Sequence, residues 1–381
     1  MIFVFLFLAA SFLAYSNGAN DNFKGVATLF GSGTTNYKKA ITWATVTTLS
    51  GSIAAIFLAS TLVKNFSGKG LVPDALIQTP SFAISIALGA AITVFLATKI
   101  GMPISTTHSL VGALFGSGVI AVGSAFNFAK LGSKFLWPLF ISPLMAAVVS
   151  LLIYLIFRQA RQMLGIKKES VLAAPTDLSS NVNMGNAEIV GLSPQGGGAH
   201  AIETRYIEKY QGEFIGISAQ KILDLFHFIS AGIVSFARGL NDTPKIVGLL
   251  VVINALDIKF GMIAVALAMA LGGLLNAKKV GEMMSKKITP MNSGQGFTAN
   301  LVTGLLVTTA SIHGMPVSTT HVSVGSIFGI GTATKKADIK VVRKILLSWL
   351  LTLPIAASIS ALVYFILQLA CLLYTSPSPR D

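Results

Sequence analysis

The sequence predicts an all-α polytopic membrane protein made of two inverted-topology repeats, whose broken and re-entrant helices meet at a midplane substrate site. Three observations support this fold class. The 381-residue chain is 53% hydrophobic and only 11% charged, with a mean hydropathy of +0.74, which is too apolar for a soluble protein. Apolar segments long enough to cross a bilayer recur along the chain, and helices satisfy their own backbone hydrogen bonds in lipid. Two sequence motifs each occur twice, in the same order.

The apolar segments form two sets of five that match in order and spacing. They fall at about 1–36, 41–63, 80–98, 104–123 and 135–157, and again at about 217–255, 260–277, 297–313, 316–333 and 341–370. Because five is odd, the second set enters the membrane from the opposite side, so the two sets are inverted relative to each other. We therefore predict a first transmembrane repeat at 1–157 and an inverted second repeat at 217–370.

Basic residues between the segments predict the orientation. With the N-terminus outside, the inner loops carry sixteen Lys and Arg residues and the outer loops carry five. Both termini then lie outside the cell, in a multi-pass protein of the plasma membrane whose surroundings are the lipid bilayer. This distribution also accounts for the net charge of +14, so no nucleic-acid partner is expected.

The segment 158–216 between the repeats is predicted to be a cytoplasmic linker that is mostly disordered. It contains Pro175, Pro194, three consecutive glycines and few apolar residues, so it cannot form a core of its own. The final residues, 371–381, resemble translated sequencing-adapter sequence, and we expect them to be a non-native tail. The only cysteine, Cys371, lies there, and a single cysteine supports neither a disulfide nor a metal site.

One repeated motif occurs at 101–116 and at 314–329, where eleven of sixteen positions are identical. Each copy places Ser-Thr-Thr shortly after a proline at the start of an apolar helix, and such a helix end offers free N–H groups and positive partial charge to anions. The simplest role of these residues is helix capping. Two copies at matching places in inverted halves favour instead a shared oxyanion. The candidate binding residues are Ser105, Thr106, Thr107, Ser318, Thr319 and Thr320.

A second repeated motif interrupts the first helix of each half, at 18–24 and 239–245. Each copy reads Asn-Asp-x-x-Lys with a glycine two residues before the Asn, and the second copy includes Pro244 directly before its lysine. These residues favour irregular backbone, so we predict that both helices unwind here at membrane depth. Backbone carbonyl oxygens of the unwound segment, the Asn side-chain oxygen and the Asp carboxylate would suit a small cation such as sodium. The alternative is a structural ion pair between the Asp and the Lys of the motif. The candidate cation ligands are Asn20, Asp21, Asn241 and Asp242.

His108 and His321 follow the two Ser-Thr-Thr triplets. Ser, His and Asp all occur, but no segment resembles a nucleophile elbow with an orienting carboxylate, so we do not predict an enzyme. The five histidines have no metal-ligand spacing, and no cofactor is expected. We interpret the two histidines as packing or hydrogen-bonding groups, with proton sensing as the alternative.

Together the four motif copies resemble those of the PiT-type inorganic phosphate transporters, in a form similar to bacterial and archaeal members. Each half of these proteins carries a Gly-Ala-Asn-Asp signature and a Pro-x-Ser-Thr-Thr-His segment, and the resemblance covers essentially 1–370. It implies uptake of inorganic phosphate by symport with sodium or protons through alternating access. Phosphate would bind at the Ser-Thr-Thr helix ends and cations near the Asn-Asp signatures. A homodimer is a further expectation.

This chain departs from the family pattern at two lysines. Many members have Asn where it has Lys24 and Lys245, and its second signature reads Gly-Leu-Asn-Asp. A fixed ammonium would either stand in for a coupling cation or contact the phosphate itself, so both lysines are also candidate phosphate-binding residues. Two other functions stay open at this point: transport of another tetrahedral oxyanion such as sulfate, and an anion channel.

Overall fold

The computed structural model describes residues 1–172, 206–253, 255–286 and 291–375, and most of them are helical. The helices of the first half are α1 (Ile2–Asp21), α2 (Ala27–Gly31), α3 (Tyr37–Leu58), α4 (Ser60–Phe66), α5 (Asp74–Ile77), α6 (Pro80–Lys99), α7 (Thr106–Val122), α8 (Phe128–Lys130) and α9 (Trp137–Met163). Those of the second half are α10 (Ala219–Val247), α11 (Ile258–Asn276), α12 (Lys278–Lys286), α13 (Ser293–Ile312), α14 (Thr319–Thr334) and α15 (Ile339–Thr375).

Eight helical segments within the described residues are long and apolar enough to cross a membrane, which confirms a multi-pass α-helical membrane protein. The outward surfaces agree, since α9 and α15 expose large apolar side chains such as Leu144 and Phe365. α13 and α14 are not among the eight segments. α14 has 16 residues and is therefore only about 24 Å long at 1.5 Å per residue, short of a hydrocarbon core of about 30 Å.

The first helix of each half was predicted to unwind at its Asn-Asp motif, and the two halves differ. In the first half the prediction is confirmed, because α1 ends at Asp21 and the 3-10 turn Asn22–Val26 separates it from α2. In the second half it is wrong, because α10 continues through the motif and past Pro244. A proline removes only one helical hydrogen bond, and the helix accommodates it. The tighter 3-10 turn begins later, at Gly248–Val252.

The Ser-Thr-Thr motifs lie at the turns of two helical hairpins, formed by α6 with α7 and by α13 with α14. Each turn contains a glycine with positive φ, 75° at Gly101 and 69° at Gly314, a conformation that other residues rarely adopt. The serine of each motif caps the helix that follows. Ser105 Oγ accepts from the backbone N–H of His108 at 3.1 Å, and Ser318 Oγ accepts from that of His321 at 3.2 Å.

The two halves interlock through contacts that are equivalent when the halves are exchanged. Helix α1 crosses α11 at Gly18, and helix α10 crosses α3 at Gly239. A Cβ on Gly18 would lie 1.9 Å from the carbonyl oxygen of Met269, and one on Gly239 would lie 2.1 Å from that of Thr48. Gly18 corresponds to Gly239 and Thr48 corresponds to Met269, with the same separation along the chain in both cases. The packing is therefore reciprocal. Inversion of the halves relative to the membrane stays a prediction.

Two short antiparallel pairs of strands lie between α9 and α10. β1 (Lys167–Leu172) pairs with β2 (Tyr206–Gln211), with Lys167 opposite Gln211, and β3 (Glu213–Phe214) pairs with β4 (Ile217–Ser218). Disorder was predicted for most of 158–216, but the two ends of this segment form helix and strand, and its middle, 173–205, lies outside the described residues. The predicted non-native tail is described only to Thr375, where α15 ends, and its origin stays a prediction.

Candidate anion and cation site

All twelve predicted site residues meet in one buried cluster between the two halves, and each is at most 4% exposed. Two hydrogen bonds join the helix ends across the interface. Thr107 Oγ1 donates to the carbonyl oxygen of Val317 at 3.2 Å, and Thr320 Oγ1 donates to that of Ile104 at 3.1 Å. Residues 213 positions apart therefore make the same contact in opposite directions, and in this conformation the cluster is closed to bulk water.

Each Ser-Thr-Thr motif also contacts the Asn-Asp motif of its own half. Thr106 Oγ1 donates to Asp21 Oδ2 at 3.1 Å, and Asn241 Nδ2 donates to Thr319 Oγ1 at 3.3 Å. The predicted anion residues and the predicted cation residues are thus in direct contact. An ion that binds at one kind of residue would therefore affect the other kind through a single hydrogen bond.

The ammonium group of Lys24 lies among four oxygen atoms. It forms an ion pair and a hydrogen bond with Asp21 Oδ1 and donates to Asn20 Oδ1 at 2.8 Å. It also donates to the carbonyl oxygen of Ile104 and to Thr320 Oγ1, both at 2.7 Å. The structural Asp–Lys pair considered as an alternative from the sequence is therefore present, but the lysine also reaches into the opposite half.

Lys245 repeats this arrangement in the second half. Its ammonium donates to Thr107 Oγ1 and to the carbonyl oxygen of Val317, both at 2.7 Å, and lies 3.4 Å from Asp242 Oδ1. The amide oxygen of Asn241 instead accepts from Ser311 Oγ at 3.1 Å. The second group of oxygens is therefore looser than the first.

Arg238 belongs to the site and was missed by sequence reasoning. It is fully buried, occupies the position that Asn17 occupies in the first half, and donates from Nη2 to Asn17 Oδ1 at 2.7 Å. Its Nη1 donates to Asn22 Oδ1 at 2.9 Å, and its Nε lies 3.8 Å from Asp242 Oδ2. A signal was available, because an arginine within an apolar helix is costly unless it has a partner or a function.

Asn17 joins the two carboxylates of the site. Its amide nitrogen lies 3.1 Å from Asp21 Oδ2 and 3.2 Å from Asp242 Oδ2, and it also donates to Thr106 Oγ1 at 3.0 Å. Counted with their usual charges, three cations and two carboxylates are buried together here, so the formal charge of the cluster is +1. Such a cluster can hold an anion.

The two histidines are buried and pack against aromatic rings, and His321 also contacts a backbone carbonyl, while proton sensing stays an alternative. The imidazole rings of His108 and His321 lie 4.3 Å apart, and His321 stacks on Trp349 with ring centroids 3.7 Å apart. His321 Nδ1 lies 3.2 Å from the carbonyl oxygen of Leu139. The histidine pair joins α7 to α14, and His321 also joins α14 to α15 and α9.

An α-helical membrane protein with a buried charged site between two interlocked halves has an architecture that occurs among transporters. Comparison with known proteins agrees. Residues 17–360 match the model of the phosphate transporter family, and the chain therefore belongs to this family.

Relatives in distant organisms match along nearly the whole chain. The chain is 30% identical to a protein of Pyrococcus horikoshii that is provisionally named a phosphate permease, over 94% of this chain and 95% of the relative. It is 26% identical to a protein of Bacillus subtilis provisionally named a low-affinity inorganic phosphate transporter, over 96% and 97% of the two chains. The resemblance found in the motifs is thus confirmed, and so is the expectation of a transporter rather than an enzyme.

A solved structure described as the sodium-dependent phosphate transporter has the same fold. The two superpose with a TM-score of 0.75 over 97% of this chain and 99% of the other, at 21% sequence identity. At this identity the likeness concerns the fold alone.

Proposed function

We propose that this protein takes up inorganic phosphate across the plasma membrane by secondary active symport through alternating access. The observation that carries the proposal is the pair of reciprocal hydrogen bonds from Thr107 and Thr320 across the interface. They bring two helix N-termini, both suited to anions, to one place. Membership of the phosphate transporter family supports phosphate as the anion.

Phosphate would bind between the hydroxyls and N-terminal amides of α7 and α14. The formal charge of +1 in the cluster would offset part of the charge of the anion, and hydroxyl and amide donors allow its release more readily than an arginine clamp. Because each half contributes equivalent groups, a rocking movement of one half against the other would expose the same site to either side. In this proposal the halves are inverted in the membrane, with both termini outside.

The test is phosphate uptake by purified protein in liposomes, with imposed sodium and proton gradients applied separately. We expect radiolabelled phosphate to accumulate above its external concentration under at least one gradient. Flux that only runs downhill would instead identify an anion channel.

Competition by sulfate tests the choice of anion. We expect a large excess of sulfate to leave labelled phosphate uptake nearly unchanged. Equal competition by the two anions would mean that the site accepts tetrahedral oxyanions in general.

A further inference from the structure

Three of the four residues predicted to bind a coupling cation, Asn20, Asp21 and Asp242, bind lysine ammonium groups instead. Around Lys24 the oxygen atoms are a carboxylate, an amide, a backbone carbonyl and a hydroxyl oxygen, with the three distances to the uncharged oxygens at 2.7–2.8 Å. This mixture of oxygen types is what a hard metal cation binds in proteins. We call the oxygens around Lys24 and Lys245 the first and second cages.

The two cages are built alike. In each, the lysine bonds the Asp three residues before it, a backbone carbonyl in the hairpin turn of its own half, and a threonine hydroxyl of the other half. Each lysine therefore has the same kind of surroundings in its own half. Both cages also lie directly beside the hydroxyls proposed to bind phosphate.

A lysine and a metal ion cannot occupy one cage together. A sodium ion bound to the Asp21 and Asn20 oxygens would lie within the space of the Lys24 ammonium, and two unit charges at such a distance repel strongly where little water screens them. Lys24 is buried in this conformation, with 2% of its surface exposed. Sodium would therefore have to displace a side chain that is already paired.

The charge of the cluster leads to the same conclusion. With both lysines the formal charge is +1, whereas two carboxylates and Arg238 alone would leave −1, a poor partner for phosphate. A site without the lysines would need two bound cations to reach the charge that this chain carries in its own side chains.

We propose that Lys24 and Lys245 are built-in cations that fill the two cages permanently, so that this transporter binds and carries phosphate without sodium. The proposal rests on the proposed function and narrows it, because it removes sodium from the two candidate coupling ions. Of the two roles open for the lysines from the sequence, the geometry favours the cation surrogate.

The first experiment measures binding of ²²Na⁺ to the purified protein. The wild type is expected to show no saturable sodium binding, whereas Lys24→Asn and Lys245→Asn, which empty one cage each, are expected to gain it. Lys64→Asn is the matched control, since it removes one exposed lysine of α4 outside the cages. Saturable binding by the wild type that Lys64→Asn retains would overturn the proposal, even if neither cage variant folds.

The second experiment compares initial rates of phosphate uptake in sodium and in choline buffer at the same pH. We expect rates that agree within about twofold, because coupling between two ligands usually changes affinity by at least about fivefold. Uptake that requires sodium would refute the built-in cations and leave the proposed function intact. Absence of phosphate transport in both buffers would refute the proposed function, and the sodium-binding measurement would still decide what occupies the cages.

Discussion

The two halves bring matching residues to the site but differ in the layer beyond it. On the side of the linker, His227 Nε2 lies 3.0 Å from Thr28 Oγ1, which donates to Asn300 Oδ1 at 3.0 Å. The residues at the equivalent positions of the opposite halves are apolar and buried. They are Leu6 for His227, Leu249 for Thr28 and Ala87 for Asn300. The site is therefore nearly symmetric, and its surroundings are not.

Polar groups continue on the linker side towards the surface. His227 Nδ1 lies 3.3 Å from Thr34 Oγ1, which lies 3.2 Å from Ser293 Oγ. Ser293 in turn donates to the half-buried Asp224 at 2.5 Å. Water enters a region of hydrogen-bonding groups at lower cost than an apolar one. We infer that the linker side needs the smaller rearrangement to open, while the other side is the tighter barrier.

Removal of a site carboxylate should have the largest effect, and an unequal one. Asp242→Asn leaves two buried cations without a carboxylate, Arg238 and Lys245, whereas Asp21→Asn leaves only Lys24. Breaking a buried ion pair costs about 3–5 kcal/mol, so both variants should lose transport and Asp242→Asn should unfold at the lower temperature. Thermal unfolding and phosphate uptake check this. Normal transport by both variants would show that neither carboxylate serves the site.

Arg238→Asn would give both halves the same residue at this position and should come next. It removes hydrogen bonds to Asn17 and Asn22 and lowers the formal charge of the cluster from +1 to 0. Loss of this buried positive charge weakens the attraction between the cluster and an anion, so phosphate affinity should fall roughly tenfold to a hundredfold, which is about 1.4–2.8 kcal/mol. Equilibrium binding of labelled phosphate measures it. Arg158→Asn, at an exposed position on α9, is the control that should bind like the wild type.

His227→Leu would make the linker side resemble the opposite side, where Leu6 occupies the equivalent position. It should slow phosphate turnover roughly tenfold, about 1.4 kcal/mol in the barrier, with little change in phosphate affinity. Turnover at saturating phosphate and equilibrium binding separate the two quantities. Unchanged turnover would mean that the polar layer is not on the route.

The smallest effect concerns the strands β1 and β2 that lie on the linker side alone. Burial would raise the pKa of Glu208, but hydrogen bonds and charges from Lys336 and Lys168 outweigh it and lower the pKa to about 2. Since an unfolded Glu titrates near about 4.3, this stabilisation is present above that pH and is lost as the pH falls towards 2. The protection factors of the amides in β1 and β2, which correct the exchange rates for their intrinsic pH dependence, should fall on acidification to about pH 3.

A matched variant tests that assignment. Glu208→Gln should show lower protection factors in the two strands already at neutral pH, and the free energy of local opening should fall by less than about 1 kcal/mol because the pair is partly exposed. Its protection factors should also respond less to acid than those of the wild type. Identical acid responses would assign the effect to another group.

The fold and the clustering of the candidate site residues were largely predictable from the sequence. Apolar length identifies membrane helices, and the duplicated motifs identify twelve residues that the structure does bring together. Repetition was informative because it compares the chain with itself. It predicted which residues meet without requiring any knowledge of distances.

What the sequence did not reveal depends on partners far apart in the chain. Lys24 bonds Thr320, 296 residues away, and no spacing rule connects them. The same holds for Arg238 and Asn17, which only contact each other because the halves interlock. The sequence also did not reveal that α10 continues through Pro244. Packing around the helix outweighs the local tendency of proline to end it.

The most direct test is an experimentally determined structure of the protein with phosphate bound. The account predicts one phosphate per chain, with oxygens within hydrogen-bonding distance of both Thr107 and Thr320 and with both lysines still beside their aspartates. Phosphate held by one half alone, or a sodium ion in either cage of the wild-type protein, would contradict it.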